Sequence, residues 1–335
     1  MERFVTRVHL SRCCDMKSER YSRQTILPEI GAEGQNKIER AVVAIVGVGA
    51  LGTVAAELLT RAGIGALILI DRDVVEESNL QRQTLYEEKD VGRSKVVAAK
   101  EMLERINSKC EIKINAIHLN TRNINILKEA HLILDCTDNL HTRFLINDFC
   151  KKEQKTWIYG AAIKTSGYVM PILPFGPCLR CFLQEASLET CETAGVLNTI
   201  TTSIAALQVT LALQIVVGKE IGPLLYHYDV WNTELKKIKV QKNKDCQTCG
   251  GKYEYLERKE ETRLVKFCSS GRYQINGKKK DLQEMKKRWE KIDVVIDDTV
   301  LLTFRNIFLF EDGRALIKAA SEEEALSVYS KWVGN

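Results

Sequence analysis

Residues 41–52 read AVVAIVGVGALG, an apolar run that ends in glycine and passes directly into a helical pattern. A continuous run of this kind is what a parallel strand buried on both faces requires. Gly47, Gly49 and Gly52 then match G-x-G-x-x-G, with Ala50 at the start of a helix expected over 50–62. The first glycine allows the tight turn, the second lets a phosphate approach the backbone, and the third lets helix and strand pack closely. Unpaired amides at the helix start, with the positive end of its dipole, favour an anion. The next strand, ALILID (66–71), closes on Asp71 about twenty residues further on, where an acid accepts hydrogen bonds from ribose hydroxyls. Asp73 is the competing acid, beyond the strand end. The pattern describes a nucleotide site and leaves the nucleotide open.

From this unit the alternation continues. Strand-like runs are expected at 111–117, 131–138 and 156–162, separated by helical patterns at 94–107 and 141–153. Strands alternating with helices predict an α/β fold, a doubly wound Rossmann-like sheet that is mostly parallel. After residue 163 the pattern changes. GYVMPILP (167–174) reads as an added strand, 203–217 as a core helix, and 224–232 with 234–241 as an antiparallel strand pair. From about residue 256 a separate small α+β unit is expected. It has two short strands within 262–277, a helix at 281–292, and a strand–strand–helix ending at 300–306, 307–319 and 322–332. The organisation is therefore 16–254 for the nucleotide-binding domain and 256–335 for a C-terminal domain with no role legible in its residues. Residues 1–15 are expected to be a disordered extension or an upstream start, with Met16 just before the first motif.

Composition narrows the function classes. The 335 residues are 45% hydrophobic, enough for a substantial core, and the net charge is +5. That charge permits acidic partners but falls short of the dense basic stripe of a nucleic-acid binder. The most apolar segment, 203–218, is shorter than the ~20 apolar residues of a membrane span and is interrupted by Gln208, Thr210 and Gln214. Charges scattered through the first residues, with no apolar core, do not make a secretory signal. Eleven cysteines in such a chain predict metal-bound and buried thiols in a reducing compartment, hence a cytoplasmic location.

The segment DRDVVEESNLQRQTLYEEKDVGRSK (71–95) holds more charge than a dinucleotide needs. A dehydrogenase cofactor carries two phosphates, which the glycine loop largely satisfies. Arg82 and Lys95, just beyond the ribose acid, suit a triphosphate whose pyrophosphate must leave, because fixed cations stabilise charge developing on phosphate oxygens. Either alone would ordinarily be a surface charge. Asp138, at the end of LILDCTD, is expected at the carboxyl edge of another parallel strand, where it could hold Mg²⁺ beside a polyphosphate. No G-x-x-x-x-G-K-[ST] occurs in the chain, so this would be ATP chemistry without a P-loop.

YSRQTILPEIGAEGQ (21–35), VGVGALG, LIDRDVVEESNLQRQTL, DVGRSK, LDCTDN, YGAAI, PCLRC, TCETAGV and CQTCG follow one another over residues 20–250. This ordered series resembles the ThiF/MoeB/HesA family, relatives of ubiquitin-activating enzymes, over about three-quarters of the chain. The resemblance implies an adenylyltransferase acting on a small ubiquitin-like sulfur-carrier protein with a Gly-Gly tail. The activated carrier would receive sulfur from a donor protein, for thiamine, molybdopterin or tRNA thiolation. It also implies that the loop glycines and Asp71 cradle adenosine, that Asn79, Arg82 and Lys95 bind the phosphates, and that Asp138 organises Mg²⁺. Arg23 would reach across a homodimer interface into the other subunit's site. Ala50 stands where the family often has glycine.

Cys178 and Cys181 form one C-x-x-C pair, Cys246 and Cys249 a second about 65 residues away. Two such pairs can complete a tetrahedral Cys₄ zinc site; a redox disulfide in either is the alternative. Four protein ligands leave no open position, so the metal would be structural. Cys191, in the polar stretch ETCETAGV, matches the position at which some members of the family take over the activated carrier through sulfur while others manage without it. A thiolate can attack an acyl adenylate, and an unused loop thiol is the equal alternative. Two rivals remain: an NAD(P)-dependent oxidoreductase, supported by the glycine pattern and Asp71, and a non-catalytic scaffold that holds the carrier.

Overall fold

The computed structural model describes residues 19–183, 194–258, 264–267 and 271–334. Two helices, α1 (Ser22–Thr25) and α2 (Gly31–Arg40), precede the glycine-rich unit. That unit forms as expected: β1 (Val42–Val46), α3 (Ala50–Ala62) and β2 (Ala66–Ile70). Gly47 has φ +87°, and a Cβ on it would lie 2.8 Å from the Cys136 carbonyl oxygen. On Gly52 a Cβ would come within 1.9 Å of the Gly47 oxygen. Gly52 is therefore required by strand–helix packing, and Gly47 by its left-handed turn and the close approach of the chain beyond β4.

The alternation continues through α4 (Lys95–Ile106), β3 (Glu111–Asn115), β4 (Leu132–Asp135), α5 (Leu140–Lys152), β5 (Trp157–Ile163) and β6 (Ser166–Ile172). A long helix, α6 (Asn198–Val217), leads to the pair β7 (Leu224–Asp229) and β8 (Glu234–Lys239). One eight-stranded sheet results, in the order β3-β2-β1-β4-β5-β6-β7-β8. The first five strands are parallel and the last three antiparallel. The central strands β1 and β2 are buried almost throughout, which accounts for their unbroken apolar sequences.

Within this larger sheet and its helices, two expectations need correction. The strand expected over 131–138 stops at Asp135, because the Asp135 carboxylate turns back to accept from the Thr137 amide and hydroxyl at 3.0 and 2.7 Å. Asp138 therefore sits in a loop just before Asn139, the N-cap of α5, whose Oδ1 accepts from the Thr142 amide. The apolar helix is also longer than expected. At 20 residues α6 has the length and composition to cross a membrane. Here it packs on α3, β5 and β6. Its buried Gln208 donates to the Asp135 and Ile158 carbonyl oxygens at 2.8 and 3.0 Å. A polar side chain inside an apolar helix is tolerated because these strand-end carbonyls satisfy it.

Beyond the short helix α7 (Glu254–Glu257) lie β9 (Leu264–Phe267), β10 (Arg272–Ile275), α8 (Leu282–Trp289), β11 (Val295–Asp297), β12 (Leu301–Phe304), β13 (Ile307–Phe310), β14 (Ala315–Lys318) and α9 (Glu322–Trp332). They build an antiparallel sheet in the order β11-β12-β13-β14-β10-β9. The segment expected as one strand over 307–319 is a hairpin turning through Gly313 at φ +84°. Trp289 of α8 stacks on Phe304 at 4.7 Å between ring centroids, inside a core separate from those of the larger sheet.

Candidate nucleotide site and cysteine cluster

A cavity of about 730 Å³ opens at the carboxyl ends of the parallel strands, where open α/β sheets place their ligands. Gly47, Gly49, Ala50, Asp71, Asn79, Arg82, Lys95 and Asp138 all line it. Gly52 lies beneath, in the strand–helix contact. A Cβ on Gly49 would meet only Gln83 Nε2, 3.8 Å away. The space over that residue is therefore open toward the cleft.

Asp71 follows β2 immediately. Its Oδ2 accepts from the Val48 amide at 2.6 Å and its Oδ1 from the Asp73 amide at 2.8 Å. The acid thereby ties the glycine loop to the strand end, and a carboxylate with two acceptances still has lone pairs for ribose hydroxyls. Tyr86 closes the loop from the other side, its hydroxyl donating to the Val48 carbonyl at 2.7 Å. Burial raises the Asp71 pKa above the usual carboxylate value, against the pull of Lys95 and with a push from Asp73. For Asp73 burial works in the same direction, but Lys95, Arg72, Arg314 and Arg272 outweigh it and hold the carboxyl low. Two neighbouring acids thus divide the field of one buried lysine.

Lys95, only 7% exposed, is the first residue of α4, and its Nζ stands 3.9 Å from Asp73. A cation so well buried and so loosely paired favours an arriving anion. Asn79 is held by a reciprocal turn in which the Glu76 amide donates to its Oδ1. Arg82 is steadied by donation to the Ser78 carbonyl at 2.8 Å.

Arg143 lines the facing wall, and its Nε lies 3.3 Å from the fully buried Asp135 behind it. Arg143 also donates to the Thr137 and Gly160 carbonyls, fixing the residue beside Asp138. Sequence reasoning missed this pair, although LILDCTDNLHTR holds both residues eight positions apart. His118, another cavity residue, was missed as well. Its Nδ1 lies 2.9 Å from Arg72 Nη1. Because guanidinium only donates, the imidazole must accept there and carry its hydrogen on Nε2. Burial, reinforced by Arg72 and Arg314, lowers its pKa to about 3, so it stays neutral.

Arg23 is not brought to this cavity within its own chain. It lies exposed on α1, near exposed Ile26 and Leu27. Cys191 falls outside the described residues.

The four cysteines of the two C-x-x-C pairs do converge. Cys178 and Cys246 sulfurs are 3.5 Å apart, Cys181 and Cys249 3.6 Å, Cys178 and Cys181 3.9 Å. Four sulfurs at ~2.3 Å from a tetrahedral ion stand about 3.8 Å from one another. All four are free thiols, and the donor set fits a soft divalent metal of zinc's size. Helix α5 positions both loops: Asn147 Oδ1 accepts from the Leu179 amide, and Asp148 accepts from Thr248 Oγ1 and the Tyr255 amide.

Comparison with known proteins agrees with this arrangement. The ThiF family profile matches residues 21–248. The sulfur carrier protein ThiS adenylyltransferase of Bacillus subtilis is 36% identical over 333 residues, covering 94% of this chain and 99% of that protein. The sulfur carrier protein adenylyltransferase of Thermus thermophilus is 34% identical over 245 residues, 69% of this chain and 90% of that one. Among solved structures, E. coli MccB with ATP shares the fold at a TM-score of 0.62 and 22% identity, covering 70% of this chain and 75% of its own. Matched in sequence through its glycine loop, its nucleotide-side charges and both cysteine pairs but the final cysteine, the chain belongs to the ThiF family.

Proposed function

We propose that this protein adenylylates the C-terminal carboxylate of a ubiquitin-like sulfur-carrier protein, on a Gly-Gly tail, at the expense of ATP. The observation that carries the reading is the convergence of Asp71, Asn79, Arg82, Lys95 and Asp138 on one cavity beside the glycine loop. The relatives named as sulfur carrier protein adenylyltransferases support it, the Bacillus one over nearly its whole length.

The chemistry follows from those charges. A carboxylate is already ionised at neutral pH, so no side-chain base is needed. Its oxygen attacks the α-phosphorus; a carboxyl–phosphorus bond forms, and the bond to the departing pyrophosphate breaks with its electron pair. Lys95 and Arg82, both lining the cavity, stabilise the charge gathering on phosphate oxygens. Asp138 would hold Mg²⁺, which supplies Lewis-acid charge neutralisation when bound. Asp71 binds ribose, and neutral His118 offers its Nε2–H to the nucleoside end. Arg23, remote from its own cavity and flanked by exposed apolar residues, fits a homodimer in which it enters the other subunit's site. Sulfide-level sulfur from a donor protein would then attack the carboxyl carbon of the adenylate, forming the carbon–sulfur bond as the bond to AMP breaks, and leave a thiocarboxylate.

ATP–pyrophosphate exchange tests the reading. Exchange should appear only when a Gly-Gly-tailed carrier from the same cell is added, and NAD should not compete with ATP. Carrier-independent exchange, or none with any such carrier, would count against it.

The cysteine cluster is proposed as a structural zinc site joining the exit of β6 to the segment after β8. Purified protein should contain one zinc per chain, and Cys246→Ser should lose it. Stripping the metal should lower the unfolding midpoint by on the order of 10 °C. A metal-free preparation that melts like the metal-bound one would remove zinc from the account of stability.

A further inference from the structure

The nucleotide-binding segment 71–95 is gripped from outside the larger sheet by three residues in or next to strands of the C-terminal sheet. They lie 196 to 242 positions away in sequence. Arg272 of β10 donates to Glu76 Oε1 at 2.6 Å. Glu76 opens the turn that holds Asn79, and the Ser78 carbonyl within that turn holds Arg82. Arg314 is buried, with its guanidinium 3.6 Å over the Phe310 ring. It donates to the Arg72 carbonyl at 2.6 Å and to the Ala116 carbonyl at 2.9 Å, linking the chain just beyond β2 to the chain just beyond β3. Those are the ends that carry Asp71 and His118.

The third contact concerns Lys95. Ser94 is the N-cap of α4, but its own side chain makes no capping bond. Asp298 instead holds the N-cap residue itself, its Oδ2 accepting from the Ser94 amide at 2.6 Å while Oδ1 accepts from Arg93 Nε at 3.0 Å. An acid at this position complements the helix dipole and fixes the first turn. Between these polar ties runs an apolar seam in which Val74 meets Leu301, Phe308, Phe310 and Leu316. Arg272 and Leu316 also form part of the cavity wall itself.

We infer that the C-terminal sheet is a working part of the nucleotide site, in which Arg272, Arg314 and Asp298 are positioning residues that hold the ribose and phosphate ligands of segment 71–95 in place for ATP. The inference rests on the cavity being an ATP site. Linkage then requires the reverse effect: ATP bound to segment 71–95 must steady the sheet that grips it.

The test uses the full chain and carrier-dependent ATP–pyrophosphate exchange. Asp298→Ala and Arg272→Gln are each expected to raise the KM for ATP about 10-fold. The turnover number and the KM for the carrier should shift by less than about threefold. Asp298→Asn, which keeps an acceptor for the Ser94 amide, should recover most of the ATP affinity. Glu76→Gln combined with Arg272→Gln should be no worse than either alone, since both break one contact. In the unaltered protein, ATP should slow amide hydrogen exchange across β12 to β14. Folded variants with the original KM for ATP, or no ATP effect on that exchange, overturn the inference. If Asp298→Ala does not fold, the partly exposed Arg272 carries the test. Absence of carrier-dependent ATP–pyrophosphate exchange in the unaltered protein overturns the proposed function as well; normal pyrophosphate exchange with indifferent variants overturns only the role of the C-terminal sheet.

Discussion

Asp138→Ala is expected to lower carrier-dependent exchange by about 10³-fold while leaving the unfolding curve unchanged. The magnitude is that of removing one preorganised electrostatic element from a charged transition state. The separation of activity from stability follows from position. Asp138 is exposed at the mouth of the cavity, in the loop between β4 and α5. The structural hydrogen bonds of that loop belong to its neighbours Asp135, Thr137 and Asn139. Surface substitutions away from such features change stability by about 0.5 kcal/mol or less. Exchange at saturating ATP and magnesium, together with thermal melts, checks both halves. Activity within tenfold of the original would mean that another group holds the metal.

Arg143→Leu should have the largest effect on stability of the substitutions at the nucleotide site. Asp135 has no exposure and Arg143 7%, so the pair is formed away from water. Burial raises the Asp135 carboxyl pKa and the guanidinium opposes the rise. Removing the cation leaves an uncompensated buried acid and frees the Thr137 and Gly160 carbonyls. The cost is about 3–5 kcal/mol, measurable by urea denaturation. Because Thr137 adjoins Asp138, activity should fall in whatever fraction stays folded. Combining Arg143→Leu with Asp135→Asn removes the stranded charge and should restore part of the stability without restoring exchange. A single-variant cost under about 1 kcal/mol would show that water reaches the pair.

Local rules made the centre of the molecule legible. A glycine can be assigned from sequence where the preceding turn leaves no room for a Cβ, as at Gly52 against the Gly47 oxygen. An acid at a strand end and two C-x-x-C pairs are likewise short-range patterns with few physical solutions. Boundaries were less legible. The strand at 132–135 was expected to run on to Asp138, because apolarity alone does not reveal that Asp135 folds back onto Thr137. The three-residue edge strand β11 is not legible in the sequence, being short and mostly exposed. The hairpin within 307–319 has the apolar run of a single strand on either side of EDG, the short polar stretch that forms its turn.

Sequence patterns alone were sufficient for the α/β class, the glycine cradle, Asp71 and the four convergent cysteines, since each depends on residues close together or on a strict spacing. Three-dimensional packing settled the rest. It set Asp135 against Arg143, left Arg23 outside its own cavity, and laid β10 and β14 against segment 71–95. Such contacts join residues up to 242 positions apart. Their formation depends on how whole sheets bury apolar surface against each other, a sum over many weak terms that no short stretch of chain contains.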